Sequence, residues 1–356
     1  MLANSLTFVA GIALLLLGAD VLVAGATRIA KAMKVSTLVI GLTVVALGTS
    51  LPEGAVTVSA SLGGSTDVAV GNIVGSNIFN VLLILGIAAV IAPLVVKTQL
   101  IKQEVPFMIG ISVLLLVLML DGSLSRVEAG VLFSMAFIYT AVLIFQARRT
   151  GVAVSDVEAD VADATRFQMI PAPLLVLAGL GMLALGGTWL VDSATFFARA
   201  LGISELVIGL TVVAIGTSLP EVATCVTAVL KGERDMAVGN VVGSNIFNIL
   251  LCLGASGLVS PIGLPAPAAL LNFDLLVMVA VAMVTFPIFL TGRTVSRWEG
   301  WMLLFYCVAY VSYVLLAATH HDALPAFSNA MMLFVIPLTA ATLIASMIRD
   351  GRSSAS

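Results

Sequence analysis

The hexapeptide GTSLPE occupies Gly48–Glu53 and returns unchanged at Gly216–Glu221. Each copy interrupts a long apolar run. A proline inside a helix removes a hydrogen bond and loosens the turn before it. A glutamate at membrane depth is costly and marks function by default. A chain that places both in one apolar run, and repeats them 168 residues later, is using them.

The 356 residues are 60% hydrophobic and 10% charged, against about 25% charged in a soluble globular domain. Apolar runs of membrane-crossing length recur at 5–27, 36–62, 69–93, 104–120, 127–146, 171–192, 204–230, 237–259, 273–291, 299–318 and 330–348. Continuous runs, not short alternating segments, argue against a barrel. The expected class is an all-α polytopic membrane protein, with the first run an uncleaved span and the lipid bilayer as partner. Nothing points to nucleic acid, a protein partner, a cofactor or an enzyme. Cys225, Cys252 and Cys307 lie within apolar spans and read as buried thiols, not as a disulfide framework.

Alternate connections carry Arg28, Lys31 and Lys34; Lys97 and Lys102; Arg148, Arg149 and Arg166; Lys231 and Arg234; Arg293 and Arg297; and Arg349 and Arg352. These are 14 of the 16 basic residues; Arg126 and Arg199 lie on the opposite side. The positive-inside rule then puts the N-terminus outside and the C-terminus in the cytoplasm. Gly41–Gly86 aligns with Gly209–Gly254 without a gap, with 33 identities in 46 positions. Five spans separate equivalent points, so the second copy is expected upside down, as in transporters built from inverted repeats. The expected units are a first repeat at 1–146, a cytoplasmic linker at 147–170, a second repeat at 171–318, and an eleventh helix with its tail at 319–356.

Within each copy the polar residues form an oxygen-rich set. Pro52 deprives the Gly48 carbonyl of its helical partner, Thr49 and Ser50 add hydroxyls, and Glu53 adds a carboxylate. Thr217, Ser218, Pro220 and Glu221 repeat the arrangement. In the following span, GNIVGSNIFN sets Asn72, Ser76 and Asn80 on one helical stripe, and Asn240, Ser244 and Asn248 repeat it. Carbonyls, hydroxyls, amides and carboxylates suit a hard cation such as calcium, sodium or magnesium. Taken singly, the prolines, hydroxyls and amides are equally well read as kinks and interhelical glue. The paired glutamates are not.

The paired blocks GLTVVALGTSLPE with GNIVGSNIFN, and GLTVVAIGTSLPE with GNVVGSNIFN, resemble the two alpha-repeats of the sodium/calcium exchanger family, in its prokaryotic form. The resemblance implies ten helices in two inverted halves around four cation sites, in the cell membrane of a prokaryote. It implies Glu53 and Glu221 as central carboxylates, with Thr49 and Thr217 joining them on calcium. It further implies the carbonyls of Ala46 and Ala214, with Ser50, Ser218, Ser76 and Ser244, at the sodium sites, and Asn80 and Asn248 at the remaining central positions. The first and sixth helices would slide across this core. Asn248 stands where potassium-dependent relatives carry an aspartate, and the eleventh span exceeds the family's ten.

The function implied is antiport of calcium out of the cytoplasm against sodium. A calcium/proton exchanger is the alternative, disfavoured because Gly54 and Val222, not histidine, follow the motif glutamates. A passive channel or an intramembrane hydrolase fits less well. Asp156, Glu158, Asp160 and Asp163 read as a solvated linker. Asp20 and Asp192 read as helix-end or gating residues, and His320 and His321 as incidental.

Overall fold

The computed structural model describes residues 1–150, 170–203, 208, 212 and 214–353. Its helices are α1 (Leu2–Met33), α2 (Thr37–Thr49), α3 (Leu51–Leu62), α4 (Thr66–Ile91), α5 (Leu100–Leu118), α6 (Arg126–Thr150) and α7 (Ala172–Ala200). They continue with α8 (Leu219–Leu230), α9 (Arg234–Val259), α10 (Leu270–Leu290), α11 (Arg297–Ala318) and α12 (Leu324–Ile348). Among the described residues nine helices are long and apolar enough to cross a membrane; α2 and α3, bent by 40°, together make a tenth. The seventh expected span is represented by α8 and the helical turn Ala214–Gly216 before it. The acidic stretch Asp156–Asp163 lies outside the described residues.

Burial sorts the helices by role. In α4 and α9, 78% and 94% of the apolar window is buried within the protein, against 11% for α11 and 6% for α12. The first two form the centre; the last two present Leu, Phe, Trp and Val to lipid. Tyr306 on α11 ties α12 to the edge by donating to Thr339 Oγ1 at 2.7 Å.

Several helices outrun their apolar segments. α1 and α7 extend about two turns past the expected ends, because a helix can leave the hydrocarbon with its backbone bonds intact. α5 and α10 start earlier than expected, at Leu100 and Leu270. Glu104 and Asp274 therefore lie inside helices and not at their borders. Glu104 is only 2% exposed.

α1 and α7 run antiparallel along a glycine seam. A Cβ at Gly18 would lie 3.0 Å from the Gly179 carbonyl oxygen, one at Gly186 would lie 2.9 Å from that of Gly11, and one at Gly25 would lie 3.1 Å from that of Ala172. The seven-residue spacing of Gly11, Gly18 and Gly25 keeps these small residues on one face.

Two short antiparallel pairs close the ends. β1 (Leu94–Val95) pairs with β4 (Thr294–Val295), and β2 (Ser123–Leu124) with β3 (Leu264–Pro265). Basic residues gather at the β1–β4 end. Lys97 meets Asp235 at 2.6 Å, Arg234 donates to the Pro93 carbonyl at 3.2 Å, and Arg297 caps Ile91 at 3.3 Å. Lys231 meets Asp20 at 2.6 Å, so Asp20 joins α1 to the end of α8. At the β2–β3 end, Arg126 donates to the Leu258 carbonyl at 3.1 Å. Cys225, Cys252 and Cys307 are buried free thiols. His320 and His321 lie exposed in the turn before α12.

The seam carries a test. Gly179→Val would drive a side chain into the α1 backbone, where the Leu22 nitrogen lies 2.7 Å from the Cβ position. Overpacking of this kind costs about 1–3 kcal/mol and should lower the thermal midpoint in detergent. Gly181→Val, with nothing within 4 Å of its Cβ position, should leave it nearly unchanged.

Candidate functional site

The site lies where both motif helices break. α2 ends at Thr49 and α3 starts at Leu51, with Ser50 at the bend. Pro52 follows in the first turn of α3, where a missing N–H costs nothing. Ordinary helical bonds continue on either side of the break. Ser50 N–H and Thr49 Oγ1 both reach the Ala46 carbonyl, at 3.0 and 3.4 Å, and Gly54 N–H reaches that of Ser50 at 3.0 Å. The second copy breaks at Thr217–Ser218, before Pro220 in the first turn of α8. Ala214 opens the short helical turn before that break.

Each break aims a glutamate at the centre. Glu53 and Glu221 are both 1% exposed, and their carboxyls are close neighbours at the centre of the protein. Ser218 stands beside Glu53, and Thr49 beside Glu221. Two unscreened carboxylates at this distance repel strongly in a medium of low dielectric, so the arrangement calls for positive charge or a proton between them.

α4 and α9 form the other walls. Each continues into a π-helical stretch, Asn80–Leu85 and Asn248–Leu253, that starts at the last asparagine of the motif. Wide π turns inside α-helices are frequent at functional sites. Asn80 Nδ2 donates to Asn245 Oδ1 at 3.0 Å, and Asn248 Nδ2 donates to Asn77 Oδ1 at 3.1 Å. These two bonds exchange under the 168-residue offset. They occupy both amide nitrogens, while the oxygens of Asn80 and Asn248 are buried without a hydrogen-bond partner.

The same holds for a wider set. Among the described residues, Ser50 Oγ, Ser76 Oγ, Ser244 Oγ, Glu53 Oε2 and Glu221 Oε2 are buried without a partner. Ser218 Oγ stands beside the Glu53 carboxyl without meeting hydrogen-bond geometry. Leaving so many oxygens unsatisfied would be costly in a folded core. All can ligate a hard cation, and none is a soft ligand. The remaining sequence-predicted residue, Thr217, is half-buried and lines a cavity beside this centre.

Asn77 and Asn245 were not among the sequence candidates. They fall off the i, i+4 stripe, and only the crossing of α4 with α9 brings each onto the opposite asparagine. Their signal was the middle asparagine of the three shared by both motif copies. Asn72 and Asn240 brace the breaks: Asn72 Nδ2 donates to the Glu53 carbonyl at 3.3 Å and to Thr57 Oγ1 at 3.0 Å, and Asn240 Oδ1 accepts from Thr49 at 3.2 Å.

Comparison with known proteins gives the lineage. The family described as sodium/calcium exchanger protein matches residues 4–145 and 171–317, which is most of the chain. The chain belongs to the sodium/calcium exchanger family. It is 37% identical over 315 residues to the putative antiporter CaxA of Alkalimonas amylolytica, covering 87% of this chain and 98% of that protein. It is 42% identical over 129 residues to the sodium/calcium exchanger MaX1 of Methanosarcina acetivorans, 36% of each chain. A solved structure of the sodium-calcium exchanger NCX_Mj superposes with a TM-score of 0.75 at 32% identity, covering 88% of this chain and 99% of that one. The exchanger is thus an integral membrane cation antiporter and not an enzyme.

The asparagine lattice predicts a measurable cost. Asn245→Ala strands the Asn80 amide donor, at about 1–3 kcal/mol for a buried unsatisfied group. The thermal midpoint in detergent should fall, and added calcium should raise it by less than in the parent protein. An unchanged midpoint and an unchanged calcium response would show that the amide oxygens need no such support.

Proposed function

We propose that this exchanger moves calcium out of the cytoplasm against inward sodium by alternating access. The observation that carries the reading is the pair of buried carboxyls, Glu53 and Glu221, facing each other among partnerless oxygens. In this reading Glu53, Glu221, Thr49 and Thr217 hold calcium. Ser50, Ser218, Ser76 and Ser244, with the carbonyls of Ala46 and Ala214, take sodium, and Asn80 and Asn248 complete the centre. One calcium or several sodium ions satisfy the same two charges. The doubly charged empty site resists moving through the low-dielectric interior, so switching follows occupancy.

The same proposal covers the architecture. Residues 1–146 and 171–318 form two inverted repeats, 147–170 is a cytoplasmic linker, and 319–356 adds α12 and its tail. The N-terminus lies outside and the C-terminus in the cytoplasm. Two observations support this: the equivalent helices α1 and α7 run antiparallel, and the basic loops meet at one end. α1 and α7 are the pair that slides.

Sodium is favoured over protons by the position after the first motif glutamate. A Cβ at Gly54 would lie 3.0 Å from Cys252 Sγ, so a histidine at that position, placed to relay protons, would crowd the Cys252 side chain. Asn248, a neutral donor, argues against potassium cotransport.

Reconstituted vesicles loaded with sodium should take up radioactive calcium when the sodium gradient points outward. Uptake driven by an outward proton gradient alone would replace sodium with protons in this mechanism, and downhill flux without a counter-ion would make the protein a channel. Glu53→Gln and Glu221→Gln each remove one charge from a buried, mutually dependent set. Losses of about 3–5 kcal/mol correspond to roughly 100-fold or more in calcium affinity, so exchange should vanish at micromolar calcium. Near-normal transport in either variant would place the site elsewhere.

A further inference from the structure

Two carboxylates outside the central site occupy matching places in the two halves of the chain. Glu104 on α5 accepts from Tyr139 at 2.8 Å, and Asp274 on α10 accepts from Tyr310 at 2.9 Å. Tyr139 packs edge-on against Phe247 at 6.0 Å, and Tyr310 edge-on against Phe79 at 6.2 Å. Phe79 and Phe247 immediately precede Asn80 and Asn248.

The two acids differ in what they face. Glu104 is fully buried, and its second oxygen accepts from Gln99 at 3.0 Å. Its neighbouring cavity, about 410 Å³, is lined by residues 103–107 on α5 and 135–146 on α6 and by none of the central residues. Asp274 is half-buried, with the Tyr310 hydroxyl on Oδ1. It opens onto a cavity of about 330 Å³ that also reaches Asn72 and Thr217. Asn72 holds the Glu53 carbonyl at 3.3 Å, and Thr217 directly precedes Ser218, which stands beside the Glu53 carboxyl. The cavity lies toward the β2–β3 end, where α10 starts five residues after β3.

A partly exposed carboxylate inside a membrane helix must face water or a polar passage, because lipid would not tolerate it. We propose that Asp274, oriented by Tyr310, is a cation-recruiting residue in the wall of the passage from the β2–β3 face to the central site. A fixed negative charge on a narrow, low-dielectric wall raises the local cation concentration by about tenfold or more. Its charge acts on entry from that face alone. Glu104, with both oxygens bonded and a cavity that no central residue lines, has no such role. The inference rests on the cation-exchange reading above and adds to it a side-specific affinity.

The test is the half-saturating calcium concentration measured separately from each membrane face, in right-side-out and inverted vesicles. Asp274→Asn should raise it about tenfold from the β2–β3 face, leave the other face unchanged, and leave the maximal rate near that of the parent. The difference should shrink in high choline chloride, which screens the charge. Asp274→Glu should restore parental affinity, and Glu104→Gln should leave affinity unchanged from both faces. Asp274→Cys offers a route that does not depend on asparagine being tolerated. An anionic thiosulfonate reagent should lower the half-saturating concentration and a cationic one should raise it. Equal shifts on both faces, or a loss of maximal rate with affinity unchanged, would overturn the role of Asp274. A parent protein that exchanges no calcium would instead overturn the exchange reading itself.

Discussion

Repulsion between two buried carboxylates governs this structure. Glu53 and Glu221 face each other deep within the helices, both 1% exposed. No apolar packing compensates two like charges in a low dielectric. On the proposed reading the fold supplies what a cation needs: oxygens aimed inward, amide nitrogens occupied elsewhere, and helices broken where the carboxylates enter. The breaks at Ser50 and Ser218, the orphaned hydroxyls and the outward-turned amide nitrogens of Asn80 and Asn248 answer that one demand.

The duplicated sequence answers it economically. Each half contributes one broken helix and one asparagine-rich helix, and neither half closes a site alone. Asn80 is oriented by Asn245, and Asn248 by Asn77. The halves also diverge. Glu104 and Asp274 hold equivalent positions with equivalent tyrosines, yet Glu104 has both oxygens bonded beside a cavity that no central residue lines, while the cavity of Asp274 reaches Asn72 and Thr217. The two halves match across the candidate site and differ around Glu104 and Asp274.

The membrane class, the positions of the helices and both motif glutamates were legible because each depends on local quantities: apolar length, charge placement and a proline within an apolar run. Helix ends were less legible. α1 and α7 run on past the apolar stretch, since polar residues are no obstacle once the helix reaches water. Glu104 and Asp274 read as helix borders for the converse reason: a charge at the edge of an apolar run looks like an end, although Tyr139 and Tyr310, 35 and 36 residues further on, make it tolerable inside. Asn77 and Asn245 escaped because helical periodicity tells which residues share a face, not which helix that face will meet.

By itself the sequence determined that this chain lives in a membrane, that it carries one motif twice, and that each copy brings a carboxylate with a cluster of hard oxygens. Only the tertiary structure decided that residues 168 positions apart become neighbours, that amides cross-brace between α4 and α9, and that the cavity beside one of two equivalent acids reaches Asn72 and Thr217. The physical reason is range. Hydropathy and helix breaking are settled within a few turns of chain, whereas pairing of charges and exchange of hydrogen bonds depend on which helices cross, and that is fixed by packing across the whole bundle.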